Sequence, residues 1–173
     1  MGNNKAARRM VVYPGSFDPV TNGHIDIIKR AVDIFDSITI VVAFNRIKKT
    51  LFTLEERIEM LRELTKDDQN ICIDSFSGLL VDYVAQKKAS VILRGMRTLS
   101  DFEYEFQMSL MNRRLNRDIQ TIFMMADSEW LFTSSTTIKE AAIFGGDIEG
   151  LVPDMVYSRL KEKFDFNAGL VQK

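Results

Sequence analysis

Five short runs of apolar, β-prone residues, separated by segments with helical spacing, constrain this chain more than any other feature. The runs are Met10 to Tyr13, Ile38 to Phe44, Ile71 to Phe76, Ser90 to Leu93 and Ile119 to Met125. Between the first two, Ile28, Ala31, Val32 and Phe35 recur at the spacing of one helix face. Strand and helix alternate in this way throughout, which predicts an α/β chain: a doubly wound, five-stranded parallel sheet with helices on both faces. Right-handed crossovers then place ligand sites beyond the carboxyl ends of the strands. The loops that follow strands are therefore where chemistry is expected.

Helix starts are marked by two capping boxes, Thr53 with Glu56 and Ser100 with Glu103, in which hydroxyl and carboxylate satisfy exposed backbone N–H groups. From Pro153 the tail reads as a final packing helix, with Met155, Val156, Leu160 and Phe164 as its apolar positions. At 173 residues and 46% hydrophobic, the chain fits one domain over residues 1–173. Such a chain buries roughly 70% of its unfolded surface, enough for one sizeable core.

Charge and cysteine usage exclude several function classes. The formal net charge is -1, from 23 basic and 24 acidic residues, so no global positive field exists to hold a nucleic-acid backbone. Any anion site must be local. Cys72 is the only cysteine and reads as a small core residue, so no intrachain disulfide forms; with a single histidine there is no ordinary structural zinc site either. No apolar run approaches the ~18 residues of a membrane span. Lys5, Arg8 and Arg9 lead into a strand-like segment rather than a signal-peptide core. A cytoplasmic protein is expected, with neither nucleic acid nor membrane as partner.

The loop after the first strand runs Tyr13-Pro14-Gly15-Ser16-Phe17-Asp18-Pro19-Val20-Thr21-Asn22-Gly23-His24, and helical spacing begins at Ile25. Two prolines, two glycines and Asn22 give an irregular, preshaped turn. It ends at a helix N-terminus, where free N–H groups and the helix dipole favour phosphate. His24, the only histidine, falls in or near that first turn. An imidazole there can donate a hydrogen bond to a phosphate oxygen as charge builds on it. A helix-capping histidine is the alternative reading of the same position.

Three later loops carry polar groups suited to anions. Lys48 and Lys49 follow the second strand, where a solvated lysine pair is the alternative. Arg94 and Arg97 flank Gly95 and Met96 at the end of the fourth strand, within reach of phosphates, and Gly95 permits close backbone approach. Arg97 paired with Asp101 or Glu105 at a helix start is the other reading. Ser134, Ser135, Thr136 and Thr137 gather at a helix start after the fifth strand, where hydroxyls cap the helix, bind phosphate, or both.

Gly15-Ser16-Phe17-Asp18-Pro19 followed by Thr21-Asn22-Gly23-His24 resembles the signature of the nucleotidylyltransferase superfamily. The Thr-x-Gly-His form, in place of His-x-Gly-His, matches its phosphopantetheine branch. Further segments in the same order resemble the phosphopantetheine adenylyltransferases: Lys48-Lys49 with Phe52 to Arg57, Ser75 to Leu80, Leu93 to Glu105, and Ser128 to Glu140. The resemblance departs at Gly78, where relatives often carry an acidic residue, and at Thr133, where they often carry isoleucine.

What the resemblance implies is a Rossmann-like nucleotidyltransferase domain that joins AMP from ATP to 4′-phosphopantetheine and releases pyrophosphate. It assigns catalysis to His24, Lys48 and Arg94, and acceptor binding to Ser16, Lys48, Leu80 and Arg94, with Leu79 beside Leu80 along the pantetheine arm. By spacing alone both leucines read as core. ATP is assigned to Ser16, Phe17, His24, Gly95, Met96, Arg97 and Glu105, and to the stretch Trp130, Leu131, Phe132, Thr133, Ser134, Ser135 and Thr136. Mg²⁺ is the implied cofactor, held through phosphates and water with no protein ligand. A homohexamer is implied, and coenzyme A is a candidate feedback ligand. Met108, Met111, Met124 and Met125 read as core or subunit packing.

Two rivals stand beside this reading. One is a transferase of the same superfamily acting on nicotinamide mononucleotide or glycerol phosphate, against which Thr21 argues. The other is a non-catalytic nucleotide or coenzyme A sensor, against which His24, Lys48 and Arg94 argue. No Gly-x-Gly-x-x-Gly follows the first strand and no P-loop occurs.

Overall fold

The protein is described by a computed structural model that covers residues 9–44 and 49–164. Strand β1 (Met10–Gly15) leads to helix α1 (Asn22–Ile34), then β2 (Ser37–Ala43), α2 (Leu54–Leu64), β3 (Ile71–Phe76) and α3 (Leu80–Gln86). There follow β4 (Val91–Met96), α4 (Leu99–Leu115), β5 (Gln120–Met125), a 3-10 turn at Ser128–Trp130, α5 (Ser135–Ile143) and α6 (Asp154–Phe164). The sheet order is β3-β2-β1-β4-β5 with every neighbouring pair parallel, which is the expected doubly wound arrangement. No described helix is long and apolar enough to cross a membrane.

Alternate residues of the central strands feed two cores. Val11, Tyr13, Ile38, Ile40, Val42 and Leu93 face a large cluster that takes Ile27 and Ala31 from α1, Met60 and Leu61 from α2, Ile138 from α5, and Val156 and Leu160 from α6. Val12, Val41 and Ile92 face the other side, against Val81, Tyr83 and Val84 of α3. Each such side chain contributes roughly 1.5–3 kcal/mol when fully buried. The C-terminal helix packs as expected, and the pairs Arg159–Glu59 and Lys163–Glu56 fasten it to α2.

The sheet opens where β1 meets β4. These two strands pair only at Val11–Val91 and Val12–Ile92, whereas β1 stays in register with β2 through Gly15. Pro14, which has no N–H to donate, lies in the stretch where the β1–β4 ladder has ended. The two carboxyl ends therefore splay at the point where strand order reverses, and such a crevice is the usual ligand site in this architecture.

Three local expectations change. The fourth strand runs past Leu93 to Met96, because Arg94, Gly95 and Met96 keep pairing with Phe123, Met124 and Met125. Arg94 thus stands on a strand, not in a loop. Helix α4 starts two residues earlier than the Ser100 box predicts: Thr98 is the N-cap, and its hydroxyl accepts from the Asp101 amide at 3.2 Å. Cys72 is exposed rather than buried. Edge strand β3 turns Ile71 and Ile73 toward the large core and leaves the intervening residue outward.

Candidate active site

The cleft at the switch point is built on the first loop. Thr21 sits in extended conformation as the N-cap of α1, and its backbone N–H donates to His24 Nδ1 at 3.0 Å. In return the His24 amide donates to the Thr21 hydroxyl. This is a capping box with histidine in the place usually held by Glu or Gln. Because Nδ1 accepts, the ring proton is assigned to Nε2, so the side of the imidazole away from the cap is a donor. Phe17, buried with φ 47, stands edge-on to both Tyr13 and His24 and fixes the ring plane. The capping reading and the catalytic reading of His24 thus describe one geometry.

Burial, and secondarily the cations Arg97 and Arg94, push the His24 pKa down from 6.5 to about 4. The imidazole is neutral near pH 7. An unfolded chain protonates this ring near 6.5 and the folded one only near 4, so across that window the unfolded state holds more protons. Stability contributed by the neutral ring is intact above the upper value and is lost as pH falls through the window. As His24 is the sole histidine, its ring signals in a proton NMR titration are unambiguous. They are expected to titrate near 4 in the ligand-free protein; a midpoint above 6 would contradict the neutral ring.

Arg94 spans the gap between the splayed strands. Its Nη1 donates to the Pro14 carbonyl at 2.7 Å, while Nε donates to Glu105 Oε2 at 2.7 Å and Nη2 to Glu105 Oε1. These contacts use three of the five N–H donors of a guanidinium. Arg97 pairs with Asp101 one helical turn on, through its amide and through Nε, both at 3.2 Å, so the simple ion-pair reading holds for it as well. Gly95 is closely approached from within the protein. A Cβ there would lie 3.2 Å from the Tyr13 hydroxyl and 3.3 Å from Ile27 Cγ1.

A second helix N-terminus closes the cleft. Ser134 caps α5 by accepting from the Thr137 amide at 2.8 Å, and Ser135 donates to the Pro19 carbonyl at 2.8 Å. The positive ends of α1 and α5 therefore border the same space.

A cytidylyltransferase-like family model matches residues 12–141. A phosphopantetheine adenylyltransferase of Desulfosudis oleivorans is 59% identical over 158 residues, covering 91% of this chain and 94% of the relative. Those of Desulfatibacillum aliphaticivorans and Moorella thermoacetica are 59% and 52% identical, covering 89% and 99% of the relatives. The chain belongs to this family.

Most residues that the family resemblance singles out meet in one place. Ser16, Phe17, His24, Arg94, Gly95, Met96, Arg97, Glu105, Thr133, Ser134, Ser135 and Thr136 all border the cleft, though they come from three separate strand–loop–helix units. Glu105 reaches it from the second turn of α4, paired with Arg94. Others lie apart. Leu80 packs against the smaller core on the α3 side, and Leu79 is exposed beside a separate hollow lined by Asp74 and Phe76. Trp130 packs beneath the cleft, its Cβ 3.3 Å from where a side chain on Gly23 would begin. Leu131 is partly buried, and Phe132 is 88% exposed. Lys48 lies outside the described residues.

Two residues without a role in the sequence reading shape the site, together with Asp101, which entered that reading only as a partner of Arg97. Asp101 borders the cleft as the partner of Arg97. Arg57, 2% exposed, donates from Nη1 to the Ser16 carbonyl at 2.8 Å and from Nε to the Thr53 carbonyl at 3.2 Å, holding the first loop against α2. Asp18, 3% exposed and preceding Pro19 through a cis peptide, accepts from the Leu51 and Phe52 amides and from Lys139. Burial alone would raise its pKa, but Lys139 and the two amides outweigh that and hold the carboxyl below its ordinary value. The only signal for Asp18 in the sequence is an acidic residue inside an otherwise apolar Phe-Asp-Pro-Val turn.

Proposed function

We propose that the chain transfers AMP from ATP to 4′-phosphopantetheine, giving dephospho-coenzyme A and pyrophosphate. The observation that carries this reading is a neutral, oriented Nε2–H on His24 facing a cleft that two arginines and two helix N-termini border. An acceptor phosphate oxygen forms a bond to the α-phosphorus of ATP while the bond to the bridging oxygen of the β-phosphate breaks, in line. No covalent enzyme intermediate is needed. Two anions must approach one another, so catalysis comes from positioning and from neutralising charge. In this scheme Lys48 and Arg94 hold the attacking phosphate, and the Ser134–Thr136 start of α5 receives the β- and γ-phosphates. Nε2–H of His24 donates a hydrogen bond to the α-phosphoryl oxygens as their charge grows, without giving up its proton.

Mg²⁺ is part of the proposal as a partner of the triphosphate, where it supplies charge neutralisation on the leaving pyrophosphate. The acidic groups bordering the cleft, Asp101 and Glu105, are engaged by arginines, and no cluster of three or more metal-ligating side chains occurs among the described residues. Such a site suits an ion that takes its ligands from phosphate and water. A cytoplasmic, hexameric enzyme completes the reading. The assembly is supported by α4, which turns Leu99, Tyr104, Met111 and Leu115 outward, each more than half exposed in the single chain. Coenzyme A, which shares the pantetheine arm, is a candidate inhibitor at the acceptor side.

The test is pyrophosphate release by purified protein given ATP, Mg²⁺ and 4′-phosphopantetheine, with nicotinamide mononucleotide and glycerol phosphate as competing acceptors. Release with the first acceptor alone is expected. Tight ATP binding without release would favour a sensor instead.

A further inference from the structure

The Asp18 carboxylate does not border the cleft, yet two other chain segments converge on it. Its Oδ2 accepts from the Leu51 amide at 3.0 Å and from Lys139 Nζ at 2.7 Å, and its Oδ1 accepts from the Phe52 amide at 2.9 Å. Leu51 and Phe52 close the connection between β2 and α2, while Lys139 stands one turn into α5, beyond the hydroxyls at its start. Ser135 adds a second tie from α5 to the same loop through the Pro19 carbonyl. Arg57 supplies a third from α2 through the Ser16 carbonyl. Two amides and one ammonium thus satisfy a nearly inaccessible carboxylate. Removing the ammonium leaves a buried charge that its surroundings no longer balance.

We propose that Asp18 and Lys139 are a positioning pair that makes the 49–52 segment depend on the placement of α5, so that acceptor affinity is set partly from the helix that receives the triphosphate. The proposal rests on the assignment above of the connection after β2 to the acceptor and of α5 to the nucleotide. Neither residue is assigned to substrate; each acts by fixing a segment, 49–52 next to Lys48 in sequence and the start of α5, to which substrate is assigned. Without Lys139 the carboxylate has reason to protonate or turn, and the Leu51 and Phe52 amides lose the partner that fixes their segment. Displacements of this kind, even about 1 Å, are costly where two reactants must be aligned.

The experiment measures binary Kd values for 4′-phosphopantetheine and for ATP by calorimetry on wild type, Lys139→Met, Lys139→Arg and Asp18→Asn, alongside amide hydrogen exchange at Leu51 and Phe52. Lys139→Met is expected to weaken 4′-phosphopantetheine binding by roughly tenfold, an ordinary size for coupling between sites. It should also speed exchange at the two amides, and Lys139→Arg should restore both. Weaker ATP binding with acceptor binding and exchange unchanged would overturn the proposal, since Lys139 would then serve the nucleotide alone. A lower Tm with both Kd values unchanged would overturn it too. If wild type binds no 4′-phosphopantetheine, the functional reading falls separately, and the exchange measurement, which needs no ligand, still shows whether Lys139 holds the segment. Asp18→Asn guards against a misleading Lys139 variant: it must weaken acceptor binding in the same direction, and an unchanged value would refute the pair.

Discussion

His24→Ala is expected to lower kcat by roughly a hundred- to a thousandfold, with KM for ATP changed far less. A hydrogen bond that strengthens as charge accumulates on the α-phosphoryl oxygens stabilises the transition state more than the bound substrate, so its loss appears in kcat. Alanine also removes the acceptor for the Thr21 amide, which costs about 1 kcal/mol on the scale of N-terminal caps. His24→Gln separates the two effects, because Gln at this position completes an ordinary capping box but does not place a ring N–H against the cleft. Thermal stability close to wild type with kcat still reduced at least a hundredfold is therefore expected of His24→Gln, on the scale of a lost oriented donor. A kcat near wild type in both variants, with only ATP binding weakened, would remove the role assigned to the imidazole.

Arg94→Met is expected to cost about 3 kcal/mol of folding stability, the lower end of the range for a broken buried pair, because the guanidinium remains partly open to solvent. The Arg94 and Glu105 side chains are 27% and 11% exposed, so most of the penalty comes from Glu105, left charged and unpartnered. The Pro14 carbonyl loses its donor as well. Double replacement, Arg94→Met with Glu105→Gln, removes that stranded charge and should recover more than half of the loss in a urea titration. Activity should not recover, since both variants lack the cation proposed to hold the attacking phosphate. A double variant as unstable as the single one would show that the pair is not what Arg94 contributes.

Much of this site was legible because it is written in short-range chemistry. The turn residues between Tyr13 and His24 mark an irregular loop, and the apolar spacing after Ile25 marks the helix it enters. The hydroxyls at Thr53 and Ser134 cap helices where residue type leads one to expect it. The expected end of the fourth strand failed for an equally definite reason. Arg94 ends the apolar run, but pairing with Phe123 of β5 keeps the backbone extended, and a charge on a strand end beside a cleft carries no local signature. Trp130 and Leu80, which the motifs single out, also pack against residues far along the chain, a demand no local pattern shows. Asp18 escaped notice because its partners lie 33, 34 and 121 residues away.

The amino-acid sequence by itself determined the alternation of strands and helices, the positions of most helix starts and the loops in which phosphate chemistry is expected. All of these depend on side-chain periodicity and on hydroxyl or glycine placement within a few residues. Only the tertiary structure decided that β1 and β4 part to form the cleft, that Glu105 and Pro14 hold Arg94 across it, and that His24 is neutral with its proton on Nε2. Those properties depend on burial and on charges carried in from other strands, and neither exists until the chain has closed on itself.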